Sequence, residues 1–233
     1  MFRKRGVPKH VRSGDAPQTE ALAQSMAGEA ARPAPERGPY DEQDAPRGVQ
    51  RLDFGSLQIP AVDGVEVRVQ ANPEGTVDVI VLVDGESALQ LGVFAAPRTE
   101  GIWNEVRDEI ALAMASDGVK PREIAGPYGI ELTADVDTPE GPAVVRFVGV
   151  NGPRWMVRAL YQGPAAADPN YRGALSECLE GLVVIRDDEA RPPREPLPLR
   201  LPKEMAEQAQ LQAEQQAAAP EPGPPPNGRG PRR

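Results

Sequence analysis

The side chains that most often carry chemistry are scarce in this 233-residue chain, which has one histidine, His10, and one cysteine, Cys178. A Ser-His-Asp or Cys-His device needs a histidine beside its nucleophile. His10 stands instead in a polar N-terminal stretch, remote in sequence from anything it would serve. One residue of each kind cannot close the usual tetrahedral zinc site. A single cysteine also forms no internal disulfide, which suits a reducing compartment. Cys178 falls on the apolar side of a predicted helix and reads as a small hydrophobic filler rather than a nucleophile. Neither G-x-x-x-x-G-K-[ST] nor a strand followed by G-x-G-x-x-G occurs, so nothing is built to cradle a nucleotide phosphate. No cofactor is expected.

Carboxylates are the remaining candidates for acid-base chemistry. Glu131, Asp135 and Asp137 would serve if two of them converged in a pocket with a raised pKa. Strand alternation puts Asp135 and Asp137 on one face, but acids at a strand end are ordinary. Asp187-Asp188-Glu189 lacks the spacing of a calcium loop and reads as solvated surface, so no metal site is expected. Three Gly-Pro pairs, Gly126-Pro127, Gly152-Pro153 and Gly163-Pro164, fall at predicted strand ends. Turn preferences explain them without any function. Read as a site, they rim one binding face with Arg98, Arg154 and Trp155 as its side chains, since Arg and Trp are favoured anchors; for Trp155 a core role is favoured over a ligand role. Arg3, Lys4, Arg5, Lys9 and Arg12 form a basic arm that would touch nucleic-acid or lipid phosphates weakly and with strong salt dependence. A solubilising tail is the plainer reading of that arm.

These residues are positioned by one predicted domain. Residues 50–190 hold 23 acids and 11 bases, between an N-terminal dozen with five bases and no acid and a C-terminal 191–233 with seven bases and five acids. Residues 1–49 contain too few large apolar side chains to offset the ordering cost of roughly 1–2 kcal/mol per residue, and are read as a disordered tail. Within 50–190 the alternation of Val65, Val67 and Val69 and the apolar run Val77–Val83 predict strands, with strands also at Leu52–Ile59 and Ser87–Ala95. A period near four then predicts a helix through Ile102, Trp103, Val106, Ile110 and Met114, with Thr99 as its cap. Strands at 128–136, 143–150 and 155–162 follow. Asp168-Pro169 reads as the start of a second helix through Tyr171, Leu175, Cys178 and Leu182, ahead of a short strand at 182–185. The order predicts an α+β fold, a mainly antiparallel sheet with two helices packed on it; its final meander-helix-strand unit is similar in element order to the PsbP/Mog1-like sandwich. Residues 191–202 must be extended because of their prolines, and Leu197, Leu199 and Leu201 favour a strap on the domain over a free ligand for a partner's groove. Residues 203–233 are read as an Ala/Gln helix followed by a disordered Pro/Gly tail. No apolar run approaches a membrane span, and the basic N-terminus leads into no signal-peptide core.

The chain resembles an actinobacterial family of uncharacterised proteins, a domain of unknown function. The resemblance runs from about Gly38 to Pro202. It is carried by Gly38-Pro39-Tyr40-Asp41, Leu52-Asp53-Phe54-Gly55-Ser56-Leu57, Phe94-Ala95-Ala96-Pro97-Arg98, Glu100-Gly101-Ile102-Trp103, Phe147-Val148-Gly149-Val150 with Gly152-Pro153-Arg154-Trp155, and the run Pro192–Pro202. It implies a bacterial cytoplasmic protein and brings no catalytic residue or cofactor. The functional expectation is a non-catalytic module that binds a protein partner or scaffolds an assembly. The alternatives are a nucleic-acid accessory protein using the basic arm, and a carboxylate-dependent enzyme.

Overall fold

The computed structural model describes residues 36–72, 76–139, 141–203, 205–208 and 211; the basic arm Arg3, Lys4, Arg5, Lys9 and Arg12 lies outside them. In chain order the strands begin with β1 (Tyr40–Asp41), β2 (Arg51–Asp53), β3 (Leu57–Pro60), β4 (Glu66–Ala71), β5 (Val77–Asp84) and β6 (Ser87–Ala95). Helix α1 (Trp103–Ser116) precedes β7 (Arg122–Gly126), β8 (Gly129–Thr138), β9 (Gly141–Gly152) and β10 (Trp155–Gln162). The short α2 (Pro164–Ala167), then α3 (Ala174–Gly181) and β11 (Val183–Val184), complete the order. Seven strands form one sheet in the order β4-β5-β6-β10-β9-β8-β7, antiparallel throughout. The smaller sheet is β1-β11-β3-β2, in which β1 and β11 run parallel. The fold is α+β and mainly antiparallel. Among the described residues no helix is long and apolar enough to cross a membrane.

Alternation decides the two faces of the large sheet. Leu89, Leu91, Val93, Val157, Ala159 and Tyr161 turn one way and join Phe54, Leu57, Ile59, Leu175, Cys178 and Leu179 in the main core. Cys178 is a buried free thiol whose pKa burial pushes up to about 12, so it is inert at neutral pH. The opposite face carries α1, whose Trp103 packs with Ile102 and Met156 and against Phe94, Val106 and Phe147. Gly149 makes this possible, because a Cβ there would collide with the Trp103 ring. The indole then donates to the Ile130 carbonyl at 2.7 Å.

Several boundaries differ from the sequence expectation. Segment 52–59 is two strands, turned at Gly55, whose N–H donates to Asp53 Oδ1 at 2.8 Å. Strand β7 went unpredicted because its burial lacks a clean period; it is an edge strand paired only with β8. Thr99 does not cap α1. The helix begins at Trp103, and its first N–H donates at 3.2 Å to Asn151 Oδ1 from the far end of β9. Asp168-Pro169 starts no helix either: the Asp168 carboxylate accepts from Asn170 N–H at 2.8 Å, a local turn that competes with a cap. Pro164 takes the first-turn position instead, in α2.

Residues 191–202 lie across both sheets. Arg194 and Leu197 donate to the Ala95 and Val93 carbonyls, and Ala95 N–H returns a bond to Glu195. Further on, Leu199 accepts from Val77, Pro198 accepts from Ser56, and Arg200 donates to Phe54. The segment thus extends β6 where β5 no longer reaches and ties it to the β2–β3 turn. Leu197 and Leu199 point inward at 3% and 9% exposure, while Pro198 and Arg200 face out. Beyond Pro202, Met205 packs partly on the same core.

Candidate functional site

Two places gather polar side chains that the fold holds at some cost. The first is the β9–β10 turn, Gly152-Pro153-Arg154-Trp155. Gly152 and Trp155 face each other across the hairpin, which leaves Pro153 and Arg154 as its central pair. Arg154 has φ 61°, a left-handed conformation in which glycine is at ease and other residues pay roughly 1–2 kcal/mol. Its carbonyl accepts from Ala96 N–H at 2.9 Å. Among the described residues its guanidinium donates only to the Asp187 main-chain carbonyl, at 3.3 Å.

Close by, the turn Pro192-Pro193-Arg194-Glu195 repeats this arrangement. Arg194 has φ 72°, and Glu195 N–H donates to Pro192 at 3.2 Å. Arg194 is fully engaged, reaching Glu105 at 2.5 Å and Glu109 at 2.6 Å on α1. Arg186 pairs with Asp187, and Arg191 with Asp187, Glu189 and Glu195. Asp187 and Glu189 are thus drawn into arginine pairs. Among the described residues no group of three or more metal-ligating side chains comes together.

Arg98 is exposed, two residues past Ala96, and makes no ion pair among the described residues. Among the described residues neither Arg98 nor Arg154 pairs with a carboxylate, and the backbone bond from Ala96 to Arg154 brings the segment before Arg98 beside the β9–β10 turn. Trp155 does not join them. It is 1% exposed, and its Nε1–H donates to the Asp41 carboxylate at 3.0 Å, so its ring faces the core and offers a partner no surface.

The second place is a narrow cleft between β8, β9 and the α2–α3 loop, lined by Tyr128, Glu131, Arg146, Tyr161, Tyr171 and Glu180 among others. Its floor is a buried ion pair. Arg146 Nη1 donates to Glu131 Oε2 at 2.8 Å and Nη2 to the Ala165 carbonyl at 2.9 Å, and the guanidinium lies 4.4 Å from the Tyr161 ring centroid. Burial pushes the Glu131 carboxyl up, against the pull of Arg146. Burial also pushes the Tyr161 hydroxyl up to about 12. Glu131 Oε1 has no protein partner; Gly126 permits its approach, since a Cβ there would strike that carboxylate. The interior holds on the order of one water.

Of the three acids considered for acid-base work, only Glu131 reaches this cleft. Asp135 is exposed and paired with Arg122 at 2.7 Å, and Asp137 is exposed near the end of β8. The sequence reading passed over Arg146, whose signal was an arginine at an inward position of β9, alternating with Val144 and Val148.

What these features define is an α+β domain with an arginine-bearing turn on its surface and a buried Glu131–Arg146 ion pair in its cleft. Residues 38–208 match the family model described as Protein of unknown function (DUF3710), and the chain belongs to that family. No curated protein matches the chain.

Proposed function

We propose that this protein is a non-catalytic interaction module that docks an acidic protein partner on the rim formed by Arg98 and Arg154. The observation that carries this reading is Arg154. A residue with a long cationic side chain occupies a turn position that costs backbone strain, yet its guanidinium contributes only one long main-chain bond to the fold. Strain retained where folding gains nothing from it is characteristic of functional positions. Among the described residues Arg186, Arg191 and Arg194 are each paired with carboxylates, whereas Arg98 and Arg154 are not. The cleft supports the same reading in that its carboxylate is paired with Arg146 through Oε2.

The test is capture of partners from the native cytosol by the tagged full-length protein, its Arg154→Gly form and its Arg98→Ala form. A stoichiometric acidic protein held by the parent and lost by both variants, with melting temperature preserved, is the expected result. Equal capture by all three would refute the rim. Capture of nucleic acid that vanishes when residues 1–12 are removed would shift the function to the basic arm.

A further inference from the structure

The face of the large sheet that carries α1 is only partly covered. The α1 backbone lies over β8 and β9, and its first turn reaches Phe94 of β6 and Met156 of β10; among the described residues this leaves β4, β5 and the stretches of β6 and β10 around Gln90 and Leu160 open on the same side. Four strands at about 4.8 Å spacing make a strip about 15 Å wide, and a helix is about 10 Å across. The strip therefore has the width of one more helix beside α1.

Its chemistry is that of a docking face. Cross-strand pairing sets Arg68 beside Val81, Val81 beside Gln90, Gln90 beside Leu160, and Leu160 beside Phe147. The next row toward α1 sets Gly92, Arg158 and Gly149 abreast. Val79, Val81, Val83 and Leu160 are all partly exposed rather than buried. The single charge at the centre is Arg158. Its guanidinium lies 5.2 Å from the Phe94 ring centroid, and among the described residues it makes no hydrogen bond or ion pair. Packing around it already lowers its pKa by desolvation. Two neighbouring cations are matched instead: Arg68 by Glu66 at 2.9 Å, and Arg107 by Glu123 at 2.9 Å. Arg158 is thus an unmatched cation on an apolar strip, and what complements it is an apolar surface bearing one carboxylate.

We infer that the open strip over β4, β5, β6 and β10 docks an amphipathic helix of a partner protein, with an acidic side chain on the helix's apolar stripe pairing with Arg158. A charge-assisted Arg–carboxylate pair fixes register as well as adding affinity, while Val79, Val81 and Leu160 receive the apolar stripe. This surface is separate from the Arg98–Arg154 rim and stands independently of it.

The test uses the full-length protein and two synthetic helical peptides of about five turns, each with a leucine stripe. They differ only in one mid-stripe residue, Glu in one and Gln in the other. Fluorescence anisotropy is expected to show the Glu peptide binding about tenfold more tightly, the measure of one charge-assisted pair. Arg158→Gln should abolish that preference while retaining weak binding of both peptides. Val81→Asp should remove binding of both, and its melting curve verifies that it is folded. Equal binding of the two peptides to the parent protein, or a Glu preference that survives Arg158→Gln, overturns the inference. So does a dimer in sedimentation that Val81→Asp dissociates, because a second copy would then own the strip. Loss of capture in Arg154→Gly has no bearing on these outcomes.

Discussion

Leu197→Ala tests whether residues 191–202 are part of the fold's core. Leu197 is 3% exposed, and its main chain donates to Val93 at 2.9 Å, so the side chain is held by a backbone that hydrogen bonds to β6. Removing its three terminal carbons loses their transfer energy and leaves a cavity, which for buried leucine costs about 2–5 kcal/mol. The segment can relax outward, so the low half of that range applies, about 3 kcal/mol. For a domain of this size each kcal/mol moves the melting temperature by roughly 2–4 °C, giving a drop on the order of 6–12 °C. Pro198→Ala is the matched control: its side chain is exposed, and the change acts through chain entropy alone, at about 0.4–1 kcal/mol. Urea unfolding of the full-length protein reads both. Equal small losses for the two variants would mean that the leucine contributes little, and the strap would then be a surface ornament.

Asn151→Ala removes the acceptor at the start of α1 and should cost about 1 kcal/mol, read by the same unfolding curves; no loss would show that water caps the helix equally well. The raised carboxyl of Glu131 fixes a pH dependence. A group whose pKa is higher folded than unfolded binds more protons in the native state, so its contribution to stability is full below the ordinary carboxylate pKa and declines as pH rises through the folded value. Glu131→Gln should flatten that decline between mildly acid and neutral pH, whatever its effect on absolute stability, and an unchanged slope would assign the titration elsewhere. Arg154→Gly relieves left-handed strain but adds chain entropy and loses one long hydrogen bond, so it should sit within about 0.5 kcal/mol of the parent. Arg154→Ala keeps the strain and should be the less stable of the two; the opposite order would mean that φ 61° carries no cost.

The large features of the fold were legible because burial there follows one rule per element. The alternation in Ser87–Ala95 and the segment Trp155–Gln162 match strands with one face in the core; the apolar run Val77–Val83 is a strand too, but its continuity signals cover on both faces, and Val79, Val81 and Val83 are only half-buried. Legibility failed where the decisive partner is distant in sequence. Asn151 caps a helix 48 residues away, so no local cap signal at Thr99 could compete. Asp168 had the right type for a cap but spent its carboxylate on its own turn. β1 lies among polar residues and exists because β11 supplies its hydrogen bonds. The core role favoured for Trp155 is what the structure shows, but its indole partner, Asp41, lies 114 residues away and left no local signal. Arg146 and Glu131 were visible as residues, but their pairing needed the β8–β9 register, which sets Thr133 opposite Arg146 and so places Glu131 one inward position away.

The central claim is that Arg154 is held in a strained turn for a partner and not for the fold. Side-by-side capture by the full-length protein and its Arg154→Gly form, with melting temperatures recorded on the same preparations, tests it most directly. The account predicts a partner lost from the variant at an unchanged melting temperature. Undiminished capture, or a melting temperature lowered by several degrees together with the loss, would assign Arg154 to the architecture and contradict it.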